Sequence, residues 1–188
     1  MVTVLTKPKH HAFIRSVLPT ATFAETVGDL VGGRCLIGYG TGIIVPSSSL
    51  DRYARQYNFH GGSPHYPGRD PHHWAAYDLA AEFGATAHVM TSEVDRGSIV
   101  GTVLVGIPKD SGPDVYREIG QRCAQALFSA LAPHMASEGV AAIRQSWTGR
   151  VRSRADLLAA CNMAGLDEFQ REHRATAFAG FENYFTAT

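Results

Sequence analysis

The sequence is short of cysteine and has no surplus charge of either sign, and each shortage excludes a class of protein. Its three cysteines, Cys35, Cys123 and Cys161, stand far apart, and none forms a CxxC pair. An odd number at wide spacing excludes a disulfide framework and a zinc ribbon, and predicts reduced thiols. Lys+Arg and Asp+Glu both number 17, for a formal net charge of zero. That balance excludes a nucleic-acid binder that relies on a general basic field. It equally excludes a polyanionic solvating chain. No run approaches ~18 apolar residues, so no membrane span is predicted. The opening MVTVLTKPKHH has no apolar segment after a basic start, so it does not read as a secretory signal and predicts a cytoplasmic protein. There is no internal repeat and no low-complexity tract.

What remains is a globular composition. The 188 residues are 45% hydrophobic, enough for one domain that buries about 70% of its unfolded surface. Residues 2–5 read as a strand. Between His11 and Leu30 apolar residues recur at helical spacing, and Pro19 divides them into two short helices. Arg34–Tyr39 is an apolar run between glycines, a buried strand that Gly40-Thr41-Gly42 breaks. Leu50–Tyr57 reads as a short helix and 57–60 as a strand end. Residues 61–71, GGSPHYPGRDP, are a loop. Asp70-Pro71 then predicts a helix with Asp70 as N-cap, running to Phe83 and ended by Gly84. Strands follow at 85–90 and 98–107, a helix at 114–131, a short strand at 141–145, and helices at 154–163 and 167–177. Strands alternate with helices, which predicts an α/β fold: three layers around a mostly parallel twisted sheet. In such sheets ligands sit in loops at the carboxyl ends of strands.

Polar residues collect at those ends. Asn58 and His60 are two apart on one strand and share a face, as do Thr86 and His88 on a later strand. Asp95 follows in a Gly-terminated loop. If the two strands are neighbours, an amide, two imidazoles and a carboxylate converge. Those are the parts of an acyl-transfer site: the amide steadies an oxyanion, the imidazole donates to it or shuttles a proton, and the carboxylate holds the imidazole or takes a proton through water. No Ser or Cys sits in a nucleophile setting such as GxSxG, which favours direct transfer or hydrolysis over a covalent intermediate.

YNFHGGSPHYPGRDPHHWAAYD (57–78), EFGATAHVM (82–90) and EVDRGSIV (93–100) together resemble the folate-dependent formyltransferases, and Gly40–Pro46 resembles that family's folate loop. The likeness is dense from about Cys35 to Ile107 and is strongest to the sugar-amine N-formyltransferases. Arg174-Ala175 is similar to an Arg-Ala near the end of their cores. The resemblance implies a Rossmann-like formyltransferase domain over residues 1–150 and a C-terminal helical extension over 151–188, packed on the same domain. It implies transfer of a formyl group from N10-formyltetrahydrofolate to a primary amine of a small molecule, with an amino sugar as the candidate, and Asn58, His60 and Asp95 as the catalytic set. Tyr39, Gly42, Ile43, Ile44, Val45, Thr91, Glu93 and Val94 would bind the folate. Thr86, His88, Tyr66 and Arg69 would lie on the substrate side or support the triad. No metal is expected. The alternatives are a hydrolase that releases formate from the same folate, and a non-catalytic folate-binding or regulatory protein.

The sequence departs from the family in two places. Gly61-Gly62 stands where Pro or Ser usually follows the histidine, and the segment before Asn58 is shorter than in the family. The abbreviated front leaves an exposed sheet edge, which predicts a homodimer. Among the remaining histidines, His72 and His73 are adjacent on a helix and diverge by ~100°, so they cannot chelate one metal together. A zinc site from His60, His88 and Asp95 would use a known ligand set, but no HExxH or HxH pair supports it. The basic run 150–154 is a candidate anion contact. Phe178, Phe181, Tyr184 and Phe185 are expected to close the core.

Overall fold

A computed structural model describes residues 1–181. Tyr184 and Phe185 lie outside the described residues. Six strands form one sheet in the order β2-β1-β3-β4-β5-β6. The strands are β1 (Val2–Leu5), β2 (Thr22–Ala24), β3 (Gly33–Tyr39), β4 (Tyr53–His60), β5 (Glu82–Val89) and β6 (Ile99–Gly106). The first four run parallel, while β5 and β6 each run antiparallel to the preceding strand. The helices are α1 (His11–Val17), α2 (Ser47–Leu50), α3 (Pro71–Tyr77), α4 (Pro113–Ser137), α5 (Arg154–Ala160) and α6 (Glu168–Ala177). No helix among the described residues is long and apolar enough to cross a membrane.

The two faces of the sheet follow from the period-two alternation of strands. Cys35, Ile37 and Tyr39 of β3, Tyr57 and Phe59 of β4, and Ala85 and Ala87 of β5 all point to one side. There they meet Ile14 of α1 and Cys123, Leu127, Phe128 and Met135 of α4 in the main core. Fully burying a side chain the size of Ile37 or Phe128 contributes about 1.5–3 kcal/mol. On the opposite face, Leu5, Leu36, Val45, Leu50 and Tyr53 make a smaller core. A third cluster ties Leu157, Cys161, Ala177 and Phe178 to Trp74 of α3, Phe83 of β5 and Tyr116 of α4.

Several elements depart from the sequence reading. The second helix expected before Leu30 is reduced to a 3-10 turn, Val27–Asp29, after strand β2, because Thr22 pairs with Thr3 and its hydroxyl donates to the Val2 carbonyl at 3.1 Å. The expected helix 50–57 stops at Leu50. Tyr53, Tyr57 and Phe59 are buried at strand spacing, and the Gln56 amide donates back to the Leu50 carbonyl at 2.9 Å. Asp70 is not a side-chain cap. Its backbone is left-handed (φ 52°) and its carboxylate accepts from Arg154 at 3.2 Å. α3 ends at Tyr77, and Gly84 lies inside β5, where a Cβ would come within 1.8 Å of the Val103 carbonyl oxygen of β6. Helix α4 runs through Pro133 to Ser137, carried by the complete burial of Ala132 and Met135. Residues 141–145 form no strand. They belong to an irregular strap, residues 138–153, that crosses the sheet's end.

Candidate active site

The face of the sheet away from α4 carries Asn58, His60, Thr86 and His88. Antiparallel pairing of β4 and β5 sets Asn58 opposite His88 and His60 opposite Thr86. Directly opposed residues bring their side chains within about 5 Å, so this register assembles the group. Asp95 arrives from the β5–β6 loop. Its backbone is left-handed (φ 47°), a conformation Asp tolerates better than most residues, and the turn swings its carboxylate back over the sheet.

The carboxylate lies between the two imidazoles. His60 Nδ1 is 3.2 Å from Asp95 Oδ2, and His88 Nε2 is 3.1 Å from Oδ1. All three side chains are buried. The Gly68 N–H also donates to Oδ2 at 2.8 Å. Burial alone would raise the Asp95 carboxyl, but His60, then His88 and the Gly68 amide, outweigh it and hold the group at about 2. The outer nitrogens face carbonyls: His60 Nε2 lies 2.7 Å from the Tyr66 oxygen and His88 Nδ1 2.8 Å from the Val89 oxygen. A carbonyl only accepts, so both nitrogens carry hydrogen. A ring that also donates to Asp95 is an imidazolium. Asn58 Nδ2 is 3.2 Å from His88 Nε2, and that donor needs the lone pair which protonation removes. His88 Nε2 thus faces both Asp95 and Asn58.

A cavity of about 380 Å³ opens beside this group, within the range of small-molecule sites. Asn58, His88 and Asp95 line it, as do Gly42, Ile43, Ile44, Val45, Thr91, Glu93, Val94 and Arg69. His60 sits behind Asp95 and is not among the lining residues. Two expected positions fall elsewhere. Tyr39 is an expected folate contact, but strand alternation turns its ring into the main core against Phe13, Phe59 and Phe128. The Tyr66 side chain is buried against Phe83, and only its carbonyl meets the site, through His60. Thr86 is fully buried, and its hydroxyl fixes the glycine loop by donating to the Gly62 carbonyl at 2.8 Å. Among the described residues no other group of three or more His, Cys, Asp or Glu could hold a metal ion, nor does this one.

The structure adds residues the sequence reading passed over. Leu5 and Met90 line the cavity as well, and the basic run 150–154, expected as an anion contact, contributes Val151, Arg152, Ser153 and Arg154 to its wall. Trp147 packs on both histidines, with ring centroids 5.8 Å from His60 and 5.2 Å from His88. Its one signal in the sequence is a large aromatic residue in an otherwise polar, aperiodic stretch.

No protein-family model matches the chain. Solved structures do. A sugar N-formyltransferase from a Shewanella species superimposes with a TM-score of 0.78 at 16% identity, over 94% of this chain and 87% of that one. A formyltransferase from Anoxybacillus kamchatkensis, solved with UDP-4,6-dideoxy-4-formamido-L-AltNAc and tetrahydrofolate, gives 0.72 at 19% identity, over 95% of this chain and 100% of that one. The methionyl-tRNA formyltransferase from Clostridium thermocellum gives 0.67 at 12% identity, over 93% and 81%. The chain therefore has the fold of the folate-dependent formyltransferases, as its motifs imply.

Proposed function

We propose that this protein transfers a formyl group from N10-formyltetrahydrofolate to the primary amine of a small molecule, an amino sugar in the first instance. The observation that carries this reading is the Asn58–His88–Asp95–His60 group at the edge of a largely apolar cavity. The folate heterocycle would lie along Gly42–Val45, where apolar side chains leave backbone groups to meet its polar edge, and against 91–94. The sugar is suggested by the sugar nucleotide bound to the Anoxybacillus enzyme.

The chemistry follows from the donors. The amine nitrogen attacks the formyl carbon, and the Asn58 amide steadies the oxyanion together with the histidines around Asp95. His60 would reach it by giving up the Tyr66 carbonyl. Asp95 is held ionised and takes the amine proton through water. The bond to N10 then breaks as that nitrogen gains a proton, which leaves tetrahydrofolate and a formamide. No metal and no covalent enzyme intermediate enters these steps.

The test is transfer to a panel of small amines and amino sugars by the wild type and by Asn58→Ala, His60→Ala and Asp95→Ala. Each variant should lose at least about a hundredfold and keep its fold by circular dichroism. Full activity in a variant that carries all three substitutions sinks the reading. Formate released at the same rate without any amine would mark a hydrolase instead.

A further inference from the structure

We propose that Trp147 is a positioning residue that holds the rings of His60 and His88 against Asp95. The inference rests on reading that group as the catalytic centre. Its indole is T-shaped to both imidazoles, at 70° to His60 and 82° to His88. Its N–H donates to the Gly97 carbonyl at 2.9 Å. Gly97 closes the turn that presents Asp95, so one side chain touches both rings and the turn between them.

The strap that carries Trp147 has no regular structure, yet it is anchored on both sides of the indole. Before it, the Ile143 N–H donates to the Ile99 carbonyl at 2.9 Å, and the Thr102 hydroxyl donates to Gln145 Oε1 at 2.9 Å. After it, the Thr148 N–H donates to the Pro64 carbonyl at 3.0 Å, and Arg152 exchanges backbone bonds with the 67–69 loop. The strap thus ties β6 to the loop that follows His60, with the indole in the middle. Each imidazole has its nitrogens engaged in the ring plane, and the motion left to it is a turn about its Cβ–Cγ bond. Such a turn swings a nitrogen off Asp95 and presents carbon instead. The indole stands where it blocks that turn for both rings.

Trp147→Ala, Trp147→Leu and Trp147→Phe test this in the full chain. Leu fills volume without a ring, and Phe keeps a ring without the N–H. The first readout needs no activity: side-chain ¹⁵N shifts of His60 and His88. With Ala or Leu these should move toward the averaged values of a freely tautomerising imidazole, and with Phe they should stay near wild type. The second readout is transfer, where Ala and Leu should lower kcat between about tenfold and a hundredfold. They should change the pH profile and leave KM for the formyl donor within about twofold, and Phe should restore most of the rate. Unchanged ¹⁵N shifts and pH profile in Ala and Leu overturn the proposal, as does equal impairment in all three variants. If no form of the protein transfers formyl, the ¹⁵N shifts alone still decide whether the indole orients the rings.

Discussion

Replacing Gly62 with alanine should disable the site, while the same change at its neighbour Gly61 should do almost nothing. A methyl at position 62 would start 2.5 Å from His60 Nε2 and 2.7 Å from Pro71 Cβ. Ordinary contact needs about 3.5 Å, so the imidazole or the start of α3 must withdraw by nearly 1 Å. His60 has no such slack. It is bonded to Asp95 at 3.2 Å and to the Tyr66 carbonyl at 2.7 Å, and a shift of that size takes one of them beyond hydrogen-bonding distance. Overpacking of this kind costs about 1–3 kcal/mol, and a displacement of about 1 Å in a catalytic group costs about a hundredfold in rate. At Gly61 nothing lies within 4 Å of a new Cβ. Alanine there should hold stability or gain about 0.4–1 kcal/mol from a less mobile unfolded chain. Urea midpoints and single-turnover transfer at saturating formyl donor measure the pair. Equal midpoints and equal rates in the two variants would refute the argument that His60 is seated on Gly62.

Acid should destabilise the protein in two stages. Burial, and next the neighbouring His73, lowers His72 to about 4. Between the usual imidazole range and pH 4 the unfolded chain binds a proton that the folded one refuses, so stability falls as pH drops through that window. Asp95 is depressed from the ordinary carboxylate range to about 2. Its contribution is present above pH 4 and is lost as pH falls toward 2. Unfolding free energy measured from pH 7 to 2 should show both limbs; His72→Gln should flatten the first and Asp95→Asn the second. Gly84→Ala should cost about 3 kcal/mol or more, because its methyl meets the Val103 carbonyl of the neighbouring strand rather than a side chain that can move. A urea midpoint indistinguishable from wild type would contradict the β5–β6 pairing at that point.

The site was legible where it depends on short-range periodicity, and hidden where it depends on contacts between distant segments. Asn58 with His60 and Thr86 with His88 share a face because strands repeat every two residues, and that can be read from spacing. The register that sets Asn58 against His88 cannot be read that way, nor can the reversal of β5 that produces it. Gly84 shows the ambiguity of a single residue. Glycine after an apolar helical stretch reads as a helix end, yet here it is what lets two strands approach. Tyr39 shows the converse. It borders the folate-loop motif, but alternation along β3 turns its ring the opposite way from Gly38, into the core. The strap was least legible of all, since it has no period and its long-range bonds reach residues 43 to 85 positions back along the chain. Trp147 meets both imidazoles, and Arg152 the cavity wall, only because the sheet has already brought β4, β5 and β6 side by side. The polar group at the strand ends is thus marked by local pattern, whereas the indole packed against it comes from a segment without one. Substitutions in the strap should therefore impair catalysis more often than they impair folding, with the Trp147 series as the case that decides.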